Sequence, residues 1–152
     1  MKHFNLIDAA EIQDVQNFVK GLLNKVLKDS NLPTAIFITS DFCKNIIEKI
    51  LNYVDLETDL EKDSTKLMAE AIYPKYKPNF SLEEITDECL RISEDEFCLD
   101  HLFIDEVSNI TVKNKKFNNK DEELIYITDK LAQLSDKLDM TTIIFKNLEE
   151  IK

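Results

Sequence analysis

Glycine is almost absent: the 152 residues contain one, Gly21, and it lies inside a helical pattern. Loops that cradle phosphate need glycine where the backbone must turn tightly and approach the anion. A standard phosphate-binding loop is therefore not expected anywhere in the chain. Arginine is equally scarce, with Arg91 alone. The cysteines are three, Cys43, Cys89 and Cys98, an odd number without CxxC spacing. They are expected to be reduced thiols, half-buried on apolar faces of a cytoplasmic protein. No apolar run reaches the length of about 18 residues that a membrane span needs. Met1-Lys-His-Phe leads into a polar, helix-like segment, so no secretory signal is expected. No GxSxG or HExxH pattern occurs either.

Acid, by contrast, is in excess. The formal net charge is −11, with 32% charged and 43% hydrophobic residues. That balance suits one globular domain over 1–152. It opposes direct binding to nucleic acid or anionic lipid, whose phosphates attract Lys and Arg. The charge is uneven: ten acids and one base, Arg91, fall between Ser81 and Glu106, and four lysines without an acid between Thr111 and Lys120. An acidic flank beside a basic loop suits protein recognition, and a solvated surface explains both as simply.

Phe4–Ile7 reads as a short strand or a hydrophobic staple. Asp8 followed by Glu11 resembles a capping box, and apolar spacing from Ile12 to Leu27 predicts a helix over 9–28. Thr34–Thr39 is a continuous apolar, β-branched run, as expected of a central strand covered on both faces. Ser40 or Asp41 should cap a helix running to Val54. An acidic linker over 55–63 and a short helix over 66–72 follow. Pro74 and Pro78 mark an irregular loop, with Tyr73, Tyr76 and Phe80 folded back onto the core. Ser81-Leu-Glu-Glu84 opens a helix to Ser93. Strand 102–105, a polar loop over 106–119, a helix over 121–138, strand 141–145 and a frayed end complete the chain. Strands separated by helices imply parallel crossovers. The expected fold is α/β with three layers: a short parallel sheet between helices.

Several segments in order resemble the C-terminal ATPase domain of DnaB-type replicative helicases, a RecA-like P-loop NTPase fold. Ile36-Phe-Ile-Thr-Ser-Asp41 resembles a strand ending in Ser-Leu-Glu-Met there, with Asp41 at the family's catalytic glutamate. Pro78-Asn-Phe-Ser-Leu-Glu-Glu-Ile85 resembles the Pro-Gly-Leu-Thr start of a helix. Leu102-Phe-Ile-Asp105 resembles the Walker B strand, whose acid holds Mg²⁺; Glu106 would then be a water-activating acid. Thr142-Ile-Ile-Phe-Lys-Asn147 resembles a strand ending in a sensor residue. This last segment and the Asp105-Glu106 pair also resemble the AAA+ helicase loaders related to DnaC.

The departures from that pattern are as informative. Where the family carries its Walker A loop, this chain reads Ala10-Glu-Ile-Gln-Asp-Val-Gln-Asn17, without Gly, Lys, Ser or Thr. Glu11 and Asp14 would repel phosphate, and Arg91 lies in the wrong region for an arginine finger. The resemblance thus implies a degenerate, truncated domain. Asp41, Asp105, Glu106 and Asn147 would be relics rather than catalytic residues, with no cofactor and no metal. His101 beside Asp100 has no second histidine nearby except His3, so it gives no metal site. The expected role is a non-enzymatic interaction module that binds a replication or recombination protein, or itself as a homo-oligomer. The alternatives are an active or partner-completed P-loop ATPase and a small acidic inhibitor or immunity-type protein.

Overall fold

The computed structural model describes residues 4–29, 33–46, 72–96 and 98–148. Its centre is the apolar run anticipated above: Thr34–Ile38 forms β2, and all five residues are buried. Around it stand β1 (Phe4–Asp8), β3 (Ile72–Tyr76), β4 (His101–Ile104) and β5 (Thr141–Lys146). The five strands form one sheet in the order β1-β5-β4-β2-β3, and every pairing is parallel.

Side-chain alternation along the strands separates two cores. Ile36, Ile38, Phe103, Ile143 and Phe145 face one side. They pack with Val15 and Val19 of α1 (Val15–Asp29) and with Cys43 and Ile46 of α2, whose described part is 41–46. Ala35, Phe37, Leu102, Ile104 and Ile144 face the other. They meet Ile85, Cys89 and Ile92 of α3 (Leu82–Asp95) and Ile127, Leu131 and Leu134 of α4 (Lys120–Leu138). Each large side chain so buried contributes roughly 1.5–3 kcal/mol. The crossovers explain the two layers. The chain moves one way across the sheet from β1 through β2 to β3, with α1 and α2 on one face. It then returns through β4 to β5, with α3 and α4 on the other. Crossovers of one hand require that reversal of direction to change the covered face.

Four expectations are corrected. The helix expected from Ala9 begins at Val15. Asp8 instead caps a 3₁₀ turn, Ala9–Glu11, by accepting from Ala10 N, and Ile12 is extended. The helix cap moves to Asp14, which accepts from Asn17 N at 3.2 Å. Ile72–Tyr76, read as a helix end and a proline loop, is an edge strand. Pro74 is tolerated there because an edge strand has a side on which no N–H is required. Phe80 is buried as expected and stacks edge-on against Phe37, whereas Tyr76 is exposed. The remainder of the helix to Val54, the acidic linker over 55–63, the helix over 66–71, the Tyr73 side chain and the frayed end beyond Leu148 lie outside the described residues.

The α3 cap holds: Ser81 Oγ accepts from Glu84 N at 3.0 Å. Asn119 caps α4 in the same way, accepting from Glu122 N. At the far end of α4, exposed Asp139 adopts φ 52° and ψ 48°. That left-handed conformation strains a residue with a Cβ and suits glycine. Asp139→Gly should therefore stabilise the fold by about 0.5–1 kcal/mol, seen as a higher urea midpoint.

Candidate functional site

In open parallel sheets, ligands enter at the carboxyl ends of the strands, where neighbouring strands send their helices to opposite faces. Here that place lies between β2 and β4. β2 leads into α2 on one face, and β4 leads toward α4 on the other. Asp105, the first residue after β4, fills this crevice. Its backbone N–H donates to Phe37 O at 3.3 Å. Its carboxylate is fully buried and accepts from Thr39 N (2.9 and 3.0 Å to its two oxygens), Thr39 Oγ1 (2.8 Å), Ser40 N (2.8 Å) and Ser40 Oγ (2.7 Å). Burial pushes this carboxyl above its ordinary range, against the opposing pull of the Ser40 and Thr39 hydrogen bonds. Asn109 Nδ2 donates to Thr39 Oγ1 at 2.9 Å and so joins the same network.

Glu106 faces the other way along the rim. It is 1% exposed. Its Oε1 accepts from Leu148 N at 2.6 Å, just past β5, and its Oε2 accepts from Ser108 N and Ser108 Oγ. Asn147 stands at the end of β5 with φ 62°, a left-handed conformation that asparagine tolerates better than most residues. Its Nδ2 donates to Asp8 Oδ1 at 2.9 Å, at the end of β1. The Asn147 and Ala10 hydrogen bonds hold the Asp8 carboxyl below its ordinary value. Asp41, the first residue of α2, accepts from Tyr76 Oη at 2.7 Å, at the end of β3. That bond raises the Tyr76 phenol, because the proton is shared with a carboxylate.

All four sequence-predicted relic positions therefore lie on one rim, and each ties the end of one strand to another. Asp8 and Asn147 join β1 to β5, and Glu106 joins β4 to β5. Asp105 joins β4 to β2, and Asp41 with Tyr76 joins β2 to β3. Sequence reasoning misses Thr39 and Ser40 as partners of Asp105, although hydroxyl residues directly after a buried strand are a usable sign. Ser40, one of the two caps expected for α2, also takes Cys43 N at 3.3 Å.

A RecA-like fold implies a magnesium-bound nucleotide at this rim. A triphosphate needs backbone amides and a lysine, and its metal needs a free carboxylate oxygen. The six residues between β1 and α1, 9–14, include no glycine and no lysine. Two of the amides near them are already satisfied by the chain's own acids, Ala10 N by Asp8 and Asn17 N by Asp14. Both Asp105 oxygens point into protein donors. These residues do not fit the group.

Other candidate chemistry is accounted for within the chain. Arg91 on α3 is held by Glu88 and Asp95. The Cys43 thiol is pushed upward by burial and then by the Asp105 charge, and burial raises Cys89 to about 12. Both therefore stay protonated and weakly nucleophilic. Asp100 and His101 pair at the opposite end of β4, away from the rim. No group of three or more possible metal ligands occurs among the described residues. In the basic loop, Lys113 meets Glu84, Lys115 covers the Tyr126 ring, and Lys120 meets Glu123.

No family model matches the chain, and no curated protein matches it in sequence. Solved structures do. The ATPase domain of one DnaB-like helicase superposes with a TM-score of 0.70 at 12% identity, over 95% of this chain and 57% of that one. A second DnaB-like replicative helicase, described together with its interactions with primase, superposes with a TM-score of 0.65 at 11% identity, over 95% of this chain and 38% of that one. The fold is that of the DnaB-like helicase ATPase domains, with the expected RecA-like layering of helices on both faces of a parallel sheet. The chain spans little more than half of the first of these structures and less than half of the second. No described helix is long and apolar enough to cross a membrane.

Proposed function

We propose that this chain is a non-catalytic, helicase-like docking module that binds a protein of DNA replication or recombination. The observation that carries the reading is the closed rim. Asp105, at the place of a metal-binding acid, gives both oxygens to Thr39 and Ser40. Its neighbour Glu106 is committed to Leu148 and Ser108. A fold with its chemical apparatus turned to holding itself together keeps its outer surfaces as its remaining means of action. The replication context is taken from the helicase structures it superposes on, one of them described with primase. Fold alone does not carry function.

The acidic-inhibitor alternative loses support from the same geometry. Two of the ten acids between Ser81 and Glu106 are buried, and Glu84 and Glu88 already hold Lys77, Lys113, Lys75 and Arg91. Titration calorimetry with Mg²⁺ and ATP tests the reading. The expected result is no saturable heat at millimolar nucleotide. Micromolar binding would overturn the non-catalytic reading in favour of an ATPase, complete or completed by a partner.

A further inference from the structure

The described residues expose four large hydrophobic side chains, Leu6, Phe18, Tyr76 and Ile125, and three of them surround β1. Leu6 lies on β1 itself. Phe18 packs edge-on against Phe145, whose register partner on β1 is Ile7. Ile125 of α4, 67% exposed, shares a groove with Leu6 and Leu124. β1 also closes one edge of the sheet. Among the described residues it pairs with β5 alone, so its outer amides and carbonyls have no strand beside them. An open edge bordered by apolar side chains is a template for strand addition unless charge or proline blunts it. β1 has neither at its centre, where Asn5-Leu-Ile7 stands. At the opposite edge, β3 carries both Pro74 and Lys75.

We propose that the β1 edge receives an extended strand of a basic partner protein, whose alternate aliphatic side chains enter the Leu6–Ile125 groove. Charge selects this occupant over a second copy of the chain. The groove is rimmed by Asp121 and Asp129 against one cation, Lys146. The chain as a whole carries −11, which a second copy would repeat and a basic segment would offset. Main-chain hydrogen bonds would supply affinity, and the groove would supply the preference for aliphatic residues at every second position. This inference rests on the docking-module reading and names the chemistry of its partner.

The test is an NMR titration of the ¹⁵N-labelled chain with the blocked peptide Lys-Val-Thr-Ile-Thr-Val-Lys. Saturable shifts should be confined to residues 4–8 and 124–128 and should weaken with salt. Ile125→Lys changes an exposed residue, so the fold persists, and binding should weaken by about 10-fold or more. A peptide with Glu for both Lys should bind more weakly. Three results would each overturn the proposal: no shifts at millimolar peptide, equal binding by Ile125→Lys, or tighter binding of the acidic peptide. A micromolar dimer in sedimentation that Leu6→Lys dissociates would also overturn it, by assigning the edge to a second copy. The nucleotide titration remains the separate arbiter of the docking-module reading. A chain that binds neither nucleotide nor peptide keeps that reading and loses this surface.

Discussion

Asp105→Ala should lower the free energy of unfolding by about 3–5 kcal/mol, a large share of what a domain of this size has. The carboxylate is the common acceptor for four donors: Thr39 N, Thr39 Oγ1, Ser40 N and Ser40 Oγ. The two hydroxyls can turn elsewhere, but the two buried amides cannot. An unsatisfied buried donor costs about 1–3 kcal/mol. Asp105→Asn keeps the volume but points an NH₂ at donors, so an intermediate loss is expected. Its size should depend on pH. Burial raises the folded-state pKa of Asp105 above the ordinary value of 3.8. Between 3.8 and that higher value the native state binds more protons than the unfolded state, so this group's contribution falls as pH rises. Asparagine has no such dependence. The deficit of Asp105→Asn relative to wild type should therefore be largest near pH 4 and shrink toward neutrality. Urea unfolding of both proteins at the two ends of that range checks magnitude and sign together.

Glu106→Ala is expected to cost about 2–4 kcal/mol, because it leaves Leu148 N and the Ser108 pair without their acceptor. Glu106→Gln keeps one carbonyl oxygen for one of those two partners and should cost about 1 kcal/mol. The direction matters more than the size. Active-site carboxylates are commonly held at the expense of stability, so neutralising them leaves a fold unchanged or firmer. A carboxylate whose work is structural behaves in the opposite way. A higher urea midpoint for Glu106→Gln would therefore count against the structural assignment of this rim.

Local pattern and long-range geometry were unequally legible in the sequence. The unbroken apolar run Thr34–Ile38 announced a doubly covered strand, and Leu102–Ile104 before two acids announced the strand that carries the rim. The 3.6-residue spacing of Ile127, Leu131 and Leu134 gave α4 its buried stripe. These features repeat within one element, so a local reading finds them. β3 escaped because Pro74 reads as a breaker, and only its place at a sheet edge makes it acceptable. The start of α1 shifted because Asp8 and Asp14 are both good caps, and which of them caps the helix depends on the Asn147 contact to Asp8. That contact spans 139 positions. The bonds from Thr39 and Ser40 to Asp105 span 66 and 65, and Leu148 to Glu106 spans 42. No periodicity encodes such pairs. The sequence thus marked Asp41, Asp105, Glu106 and Asn147 as positions of interest, but their partners emerge only when the strand ends are brought side by side.

The central claim is that the carboxyl ends of the strands are tied to one another by the chain's own acids, in the place where a nucleotide would otherwise sit. Hydrogen exchange at three amides tests it most directly: Thr39 and Ser40, which donate to Asp105, and Leu148, which donates to Glu106. All three should be among the slowest to exchange, and millimolar Mg²⁺ with ATP should leave them unchanged. Fast exchange in the free protein that slows when nucleotide is added would contradict it.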